Sequence, residues 1–145
     1  MSEESHARQL VVLTLGSEQY ALPIEQVHEI IRYYEPRSVA SPIQWVRGVI
    51  SLRGKIVPVY DLASRLGLGS DLSDQTKIVI VEAGTETAGV IVDDVEEVLT
   101  VEDAQFEDVP GADDELIEAI AKIGDRLIVL LKPTTIFSGI ELAVA

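Results

Sequence analysis

The feature that most constrains this chain is an internal repeat. Shifted by 68 positions, residues 10–31 lie on residues 78–99 without a gap. Leu10-Val11-Val12-Leu13 falls on Ile78-Val79-Ile80-Val81, Gly16 on Gly84, Glu18 on Glu86, and Leu22 and Ile24 on Val90 and Val92. Further on, Val27 falls on Val95, Glu29 on Glu97, and Ile30-Ile31 on Val98-Leu99. A second stretch, Val49 to Val59, lies on Ile120 to Leu130 at an offset of 71, with Arg53-Gly54 over Gly124-Asp125. The extra residues fall in the intervening loop, where insertions are tolerated. Coincidence of turn glycines with apolar periodicity is what a duplicated β-unit requires.

Each unit reads as short strands. Leu10 to Leu15 and Tyr20 to Ile24 flank Gly16-Ser17-Glu18-Gln19 and predict a hairpin. Pro23 places the second strand at an edge or makes it irregular there. Val27 to Ile31 continues as a helical turn or a strand, and the prolines of Tyr34 to Gln44 make that segment a loop. Gly48 to Leu52 and Lys55 to Tyr60 predict a second hairpin with Arg53-Gly54 at its turn. Asp61, the spacing of Leu62 and Leu66, and Gly67 predict a short capped helix, followed by a linker from Leu68 to Gln75. Leu116 to Ile123 has apolar spacing that also fits a helix, but its counterpart Val49 to Leu52 favours a strand over roughly Ala119 to Ile123. Few aromatics and a Val/Ile/Leu-rich composition give an aliphatic core suited to strands. Units of four or five short strands manage their edges by curling, so the expectation is a mostly-β fold of two small barrels side by side, with a binding groove between them.

Much chemistry is excluded. The absence of cysteine removes disulfides, thiol catalysis and Cys-based zinc sites. No Gly-x-Ser-x-Gly elbow, HExxH, EF-hand, GxGxxG or Walker loop is present. His6 falls in a tail and His28 on the surface; the repeat-related acids Asp93 and Glu25, or Glu29 and Glu97, lack the Asp-Thr/Ser-Gly loop of a two-carboxylate hydrolase. The expectation is a non-enzymatic protein with no cofactor and no metal. With 25 acidic against 11 basic residues and a net charge of −14, nucleic acid and anionic membrane surfaces are poor partners. No apolar run approaches the roughly 20 residues that span a bilayer. Met1 to Gln9 lacks the apolar core of a signal peptide, so a cytoplasmic protein is expected.

The most specific segment is Gly48-Val-Ile-Ser-Leu-Arg-Gly-Lys-Ile-Val-Pro-Val-Tyr-Asp61-Leu62, which sets an arginine at a hairpin tip where it can reach a partner's carboxylate or carbonyl. It resembles, almost position for position, the Gly-Val-x-Asn-Leu-Arg-Gly-x-x-Val-Pro-Val-x-Asp-Leu motif of the CheW family of chemotaxis coupling proteins, with Ser51 where Asn is usual. The opening Val12-x-x-Leu-Gly-x-Glu-x-Tyr20, the Val27-x-Glu29-Ile30 step, Gly89-x-x-Val-Asp93-x-Val95-x-x-Val98 and Gly124-Asp125-Arg126-Leu127-Ile128 are similar to that family too.

The resemblance implies one CheW-like domain over residues 8–137, of two five-stranded SH3-like barrels, subdomain one about 10–67 and subdomain two about 76–131, with flexible tails at 1–7 and 138–145. It implies an adaptor joining the cytoplasmic tip of methyl-accepting chemoreceptors to the regulatory domain of a chemotaxis histidine kinase, inserted in no membrane and attached to one only through receptor arrays. The alternative is a regulatory CheW-like domain, or an adaptor of another chemosensory-type pathway such as pilus-based motility. Carried over, receptor contacts fall on Val27, Glu29, Arg53, Val95 and Val98, with Gly48 and Gly89 as positions that must stay small. Arg53 is expected to be an element that only one repeat possesses. Leu131-Lys-Pro-Thr-Thr-Ile-Phe137 departs from the family's acidic closing segment, and Glu102 to Glu115 forms a very acidic loop.

Overall fold

Ile78-Val79-Ile80-Val81 has no polar position, which a strand tolerates only if both its faces are covered. In the computed structural model, which describes residues 7–69, 71–83, 85–109, 111 and 116–136, both faces are covered. Ile78 and Ile80 point into a cluster with Ile50, Val57, Val59 and Ile91, while Val79 and Val81 join a second cluster with Leu13, Leu15, Val90 and Leu131. His6, Gly84, Phe137, most of both expected tails and part of the acidic loop lie outside the described residues.

In chain order the elements are β1 (Ala7–Leu15), β2 (Glu18–Pro23), β3 (Val27–Arg32), β4 (Val46–Leu52), β5 (Lys55–Asp61), α1 (Leu62–Arg65), β6 (Lys77–Ala83), β7 (Glu86–Val92), β8 (Asp94–Glu102), β9 (Phe106–Glu107), β10 (Ile117–Ile123), β11 (Arg126–Leu131) and α2 (Pro133–Ile136). Short 3₁₀ turns at Ile24–Gln26 and Asp103–Gln105 follow β2 and β8. The fold is mostly β, in two sheets. One has the order β8-β1-β2-β11-β10-β9, the other β3-β6-β7-β5-β4.

These orders are the repeat made visible. Substituting each strand of one sheet by its repeat counterpart gives the other, down to the parallel pairs β2–β11 and β5–β7. The two-residue β9, which pairs with Ile120 and Ala121, answers to a single bridge between Arg37 and Val49. Even the irregularities recur. β3 carries one extra residue, His28, opposite the Val81–Ile80 step, and β8 carries Glu96 at the same place 68 positions on. Arg47 in β4 and Glu118 in β10 form a second such pair, 71 apart. β-bulges of this kind sharpen local twist and bend a sheet.

Each sheet draws strands from both sequence halves. The hairpin β1–β2 sits among β8 to β11, and β6–β7 sits among β3 to β5. The linker near 68–75 divides the repeat in sequence, while in space the two units exchange their leading hairpins. Three clusters of aliphatic side chains result. One lines each sheet: Leu10, Val12, Ala21, Val101, Ala121, Ile128 and Leu130 in the six-stranded sheet, and the Ile50–Ile78–Ile80 group in the other. The third lies between them and takes residues from both hairpins. Full burial of each Leu, Ile or Val contributes roughly 1.5–3 kcal/mol, so the exchanged hairpins are held by their apolar faces on two sides.

Other expectations resolve locally. β3 is a strand, not a helical turn, and residues 117–123 are a strand. β2 is an interior strand, not an edge: Pro23 ends it beyond Gln19–Ala21, the stretch that pairs with β11, so no ladder donor is missed. The predicted helix is α1. Asp61 caps it by accepting from the Ser64 amide at 3.1 Å, and Gly67 follows at φ 80°. Buried Asp61 also accepts from Arg47 at 2.9 Å, while Arg65 stacks over Trp45, which meets Tyr60 edge-on.

Candidate partner-docking site

β3 and β8 are the end strands of their sheets, and each begins against the shared core. Val27 and Val95 are half-buried there, opposite Val81 and Leu13 respectively. Val98, three residues along β8, is 51% exposed and pairs with Val11. Val27 and Val95 therefore belong to different sheets, and what joins them is the cluster both touch.

Glu29 and Arg53 are brought into direct contact. Arg53 forks onto the carboxylate, Nη1 donating to Oε1 and Nη2 to Oε2, the latter at 3.2 Å. The pair ties β3, at one end of the five-stranded sheet, to the β4–β5 turn at the other. The guanidinium remains 68% exposed, whereas the Glu29 side chain is only 21% exposed. Hydrogen bonding from Arg53, reinforced by its charge, holds the Glu29 carboxyl below the ordinary carboxylate value and raises the Arg53 guanidinium above its own. His28 stands beside them, with Nδ1 3.5 Å from Glu82 and Nε2 4.0 Å from Glu29. A cleft of about 90 Å³ under the turn is lined by His28, Leu52, Arg53, Lys55 and Glu82 among others.

Arg53 has φ 51°, the only non-glycine residue with positive φ among the described residues. Its repeat counterpart is Gly124, at φ 62°. A two-residue hairpin turn calls for that conformation and glycine adopts it without strain; a bulky side chain there is unusual. Such strain persists where the side chain is needed.

Gly48 and Gly89 are both crowded, in different ways. Gly48 follows the Arg47 bulge at φ 141°, and a Cβ there would stand 2.0 Å from the Arg37 carbonyl oxygen. That carbonyl and the Arg37 amide bond Val49 at 2.9 and 2.8 Å. Gly89 faces the core of its own sheet, where a Cβ would meet Ile78 Cγ2 at 2.8 Å. Gly48 thus lets the loop return to the edge of β4, and Gly89 makes room for isoleucine packing.

Arg53 is not alone, contrary to the sequence expectation. In the second repeat Arg126 donates to Glu97 at 2.8 Å and to Gln19 at 3.2 Å. Glu97 is the counterpart of Glu29, so both units tie their end strand to a hairpin tip through an Arg–Glu pair. Alignment hid this because the offset of 71 lays Arg126 on Lys55 and Gly124 on Arg53. The available signal was a cation two residues beyond the aligned position, at the start of the strand that follows the turn.

The arrangement combines an arginine strained at a tip, a carboxylate held in place by it, and valines at the rim of a shared core. Residues 9–141 match the CheW-like domain family, and the chain belongs to it. It is 32% identical over 132 residues to the chemotaxis protein CheW of Bacillus subtilis, covering 88% of this chain and 85% of the relative. It is 27% identical over 148 residues to the chemotaxis protein CheW of Klebsiella aerogenes, covering 99% of this chain and 89% of the relative. The crystal structure of the scaffolding protein TtCheW from Thermoanaerobacter tengcongensis superposes with a TM-score of 0.87 at 35% identity, covering 94% of this chain and 97% of that one. Among the described residues no helix is long and apolar enough to cross a membrane.

Proposed function

We propose that this chain is a cytoplasmic, non-enzymatic adaptor that couples the cytoplasmic tip of methyl-accepting chemoreceptors to the regulatory domain of a chemotaxis histidine kinase. The observation that carries the reading is Arg53: an exposed guanidinium in a backbone conformation that favours glycine, forked onto Glu29. Family membership and the scaffolding role of its structural relative support the same reading. Val27, Val95 and Val98 supply apolar contact to a receptor helix, Glu29 and Arg53 set its register by charge, and Gly48 and Gly89 keep the strands that carry them in place.

A titration of the full chain with a purified receptor cytoplasmic domain tests this. Arg53→Ala is expected to weaken binding roughly tenfold to a hundredfold, the range of an interface hot spot, while the melting temperature stays within a few degrees. Wild-type affinity in a folded Arg53→Ala variant sinks the assignment.

A further inference from the structure

We infer that Lys55 is a further specificity-determining residue of the docking site, and that its counter-ion is a side-chain carboxylate of the partner, received at the β4–β5 tip beside Arg53. The inference rests on the adaptor reading above and adds a second cation to the one assigned there.

The repeat supplies the control. In the second unit Arg126 ties the hairpin to its end strand through Glu97 at 2.8 Å, and the turn position two residues earlier is Gly124, at φ 62°. At the offset of 71, Lys55 lies on Arg126 and Arg53 on Gly124. A cation at position 55 reaching Glu29, with glycine at position 53, would close the first unit in the same way. Instead Arg53 takes Glu29 from a φ of 51°, and a cation still stands at position 55. The internal tie accounts for one of these two cations and leaves the other over.

Local charge points the same way. Of the carboxylates near the first tip, Glu29 is forked by Arg53 and Glu82 stands 3.5 Å from His28. Lys55 is exposed and makes no ion pair among the described residues, although the chain has 25 acidic residues against 11 basic. The second tip has the opposite balance: a single guanidinium meets Glu97 and Gln19, and Gln19 also donates to Glu96 at 3.0 Å. On a molecule of net charge −14 an approaching carboxylate is repelled by most of the surface, so a tip with two cations is where it can be received.

The geometry fits one carboxylate. Lys55 pairs with Leu52 across the turn, and both line the cleft of about 90 Å³ that Arg53 also borders. Glu29 occupies one N–H on each terminal nitrogen of Arg53, and the guanidinium, 68% exposed, has further N–H groups to donate. A carboxylate at the mouth of the cleft thus meets an ammonium and a guanidinium already fixed in place. The cleft is too small for more than one side chain.

The test uses the full chain and, as probe, the purified cytoplasmic domain of a methyl-accepting chemoreceptor, titrated by calorimetry at about 0.05 M and about 0.5 M salt, with thermal melts of each variant. Lys55→Gln is expected to weaken binding roughly threefold to tenfold at low salt, with the difference shrinking at high salt, as a rim charge contact requires. Lys55→Arg keeps the charge and should keep the affinity. Neither variant should move the melting temperature by more than a few degrees, since Lys55 has no internal ion pair to lose. If Lys55→Gln binds like wild type at low salt while Arg53→Ala does not, the role of Lys55 falls and the adaptor reading stands. A loss of affinity that is the same at both salt concentrations, or one that comes with a large drop in melting temperature, also overturns the carboxylate contact. If Arg53→Ala and Lys55→Gln both bind like wild type, both readings fall.

Discussion

Adding one methyl group at Gly48 sets a Cβ 2.0 Å from the Arg37 carbonyl oxygen and 2.7 Å from its carbonyl carbon. These are backbone atoms, so no side-chain rotation relieves the contact, and the loop must retreat by about an ångström to reach the roughly 3 Å of a tolerable contact. Retreat breaks the bridge to Val49, two hydrogen bonds of 2.8 and 2.9 Å, each contributing about 0.5–1.5 kcal/mol. Alanine must also hold φ 141°, which costs about 1–3 kcal/mol. The total is about 4 kcal/mol. At roughly 3–4 °C per kcal/mol for a chain of this size, Gly48→Ala should lower Tm by about 10–15 °C. Differential scanning calorimetry of the two proteins measures this directly. A variant melting within about 3 °C of wild type would show that the loop has slack which the geometry denies, and would refute the reasoning.

Gly89→Ala meets side chains instead of backbone, with Ile78 Cγ2 at 2.8 Å and Ile80 and Val59 beyond 3.4 Å; it should cost about 1–3 kcal/mol, visibly less than Gly48→Ala in the same calorimeter. Asp61→Ala removes the cap of α1 and one of the two hydrogen-bond partners of Arg47, for a loss of about 1–3 kcal/mol in chemical denaturation, whereas Asp61→Asn keeps a capping oxygen and should lose less. Glu29 has its folded-state carboxyl held below the ordinary value of 4.5 by Arg53. Its contribution to stability is therefore complete above that value and disappears as pH falls through the lowered folded value. Arg53→Ala should flatten this acid-side loss in melts recorded across pH, by a modest amount because the arginine is exposed; an unchanged acid profile contradicts the pairing.

Much of the fold was legible because duplication prints a pattern twice. The offsets of 68 and 71 located both hairpins, and Val49 to Leu52 decided for a strand over roughly Ala119 to Ile123 despite a spacing that suits a helix; the strand found there starts two residues earlier, at Ile117. Pairing between the halves was not legible. A run such as Ile78 to Val81 announces that both faces are buried but does not say against what, so the exchange of hairpins had to be seen. The site divided along similar lines. Arg53 stood out at the tip of its motif and Glu29 through the family resemblance, and their contact brings the edge of β3 to the β4–β5 tip, a closure no linear spacing records. Arg126 escaped because the equivalence lies in which carboxylate the guanidinium reaches, not in which residue aligns. Gly89 was selected as a position that must stay small; the reason, an isoleucine in the same sheet, is a matter of packing.

The central claim is that the chain holds two other proteins at once. Sedimentation velocity on a mixture of the full chain, a receptor cytoplasmic domain and a chemotaxis kinase regulatory domain tests it most directly. The expected result is a single faster species containing all three, which forms only when the chain is present, and which in Arg53→Ala loses the receptor domain while retaining the kinase domain. Two binary complexes that displace one another, or no complex with either partner, would contradict it.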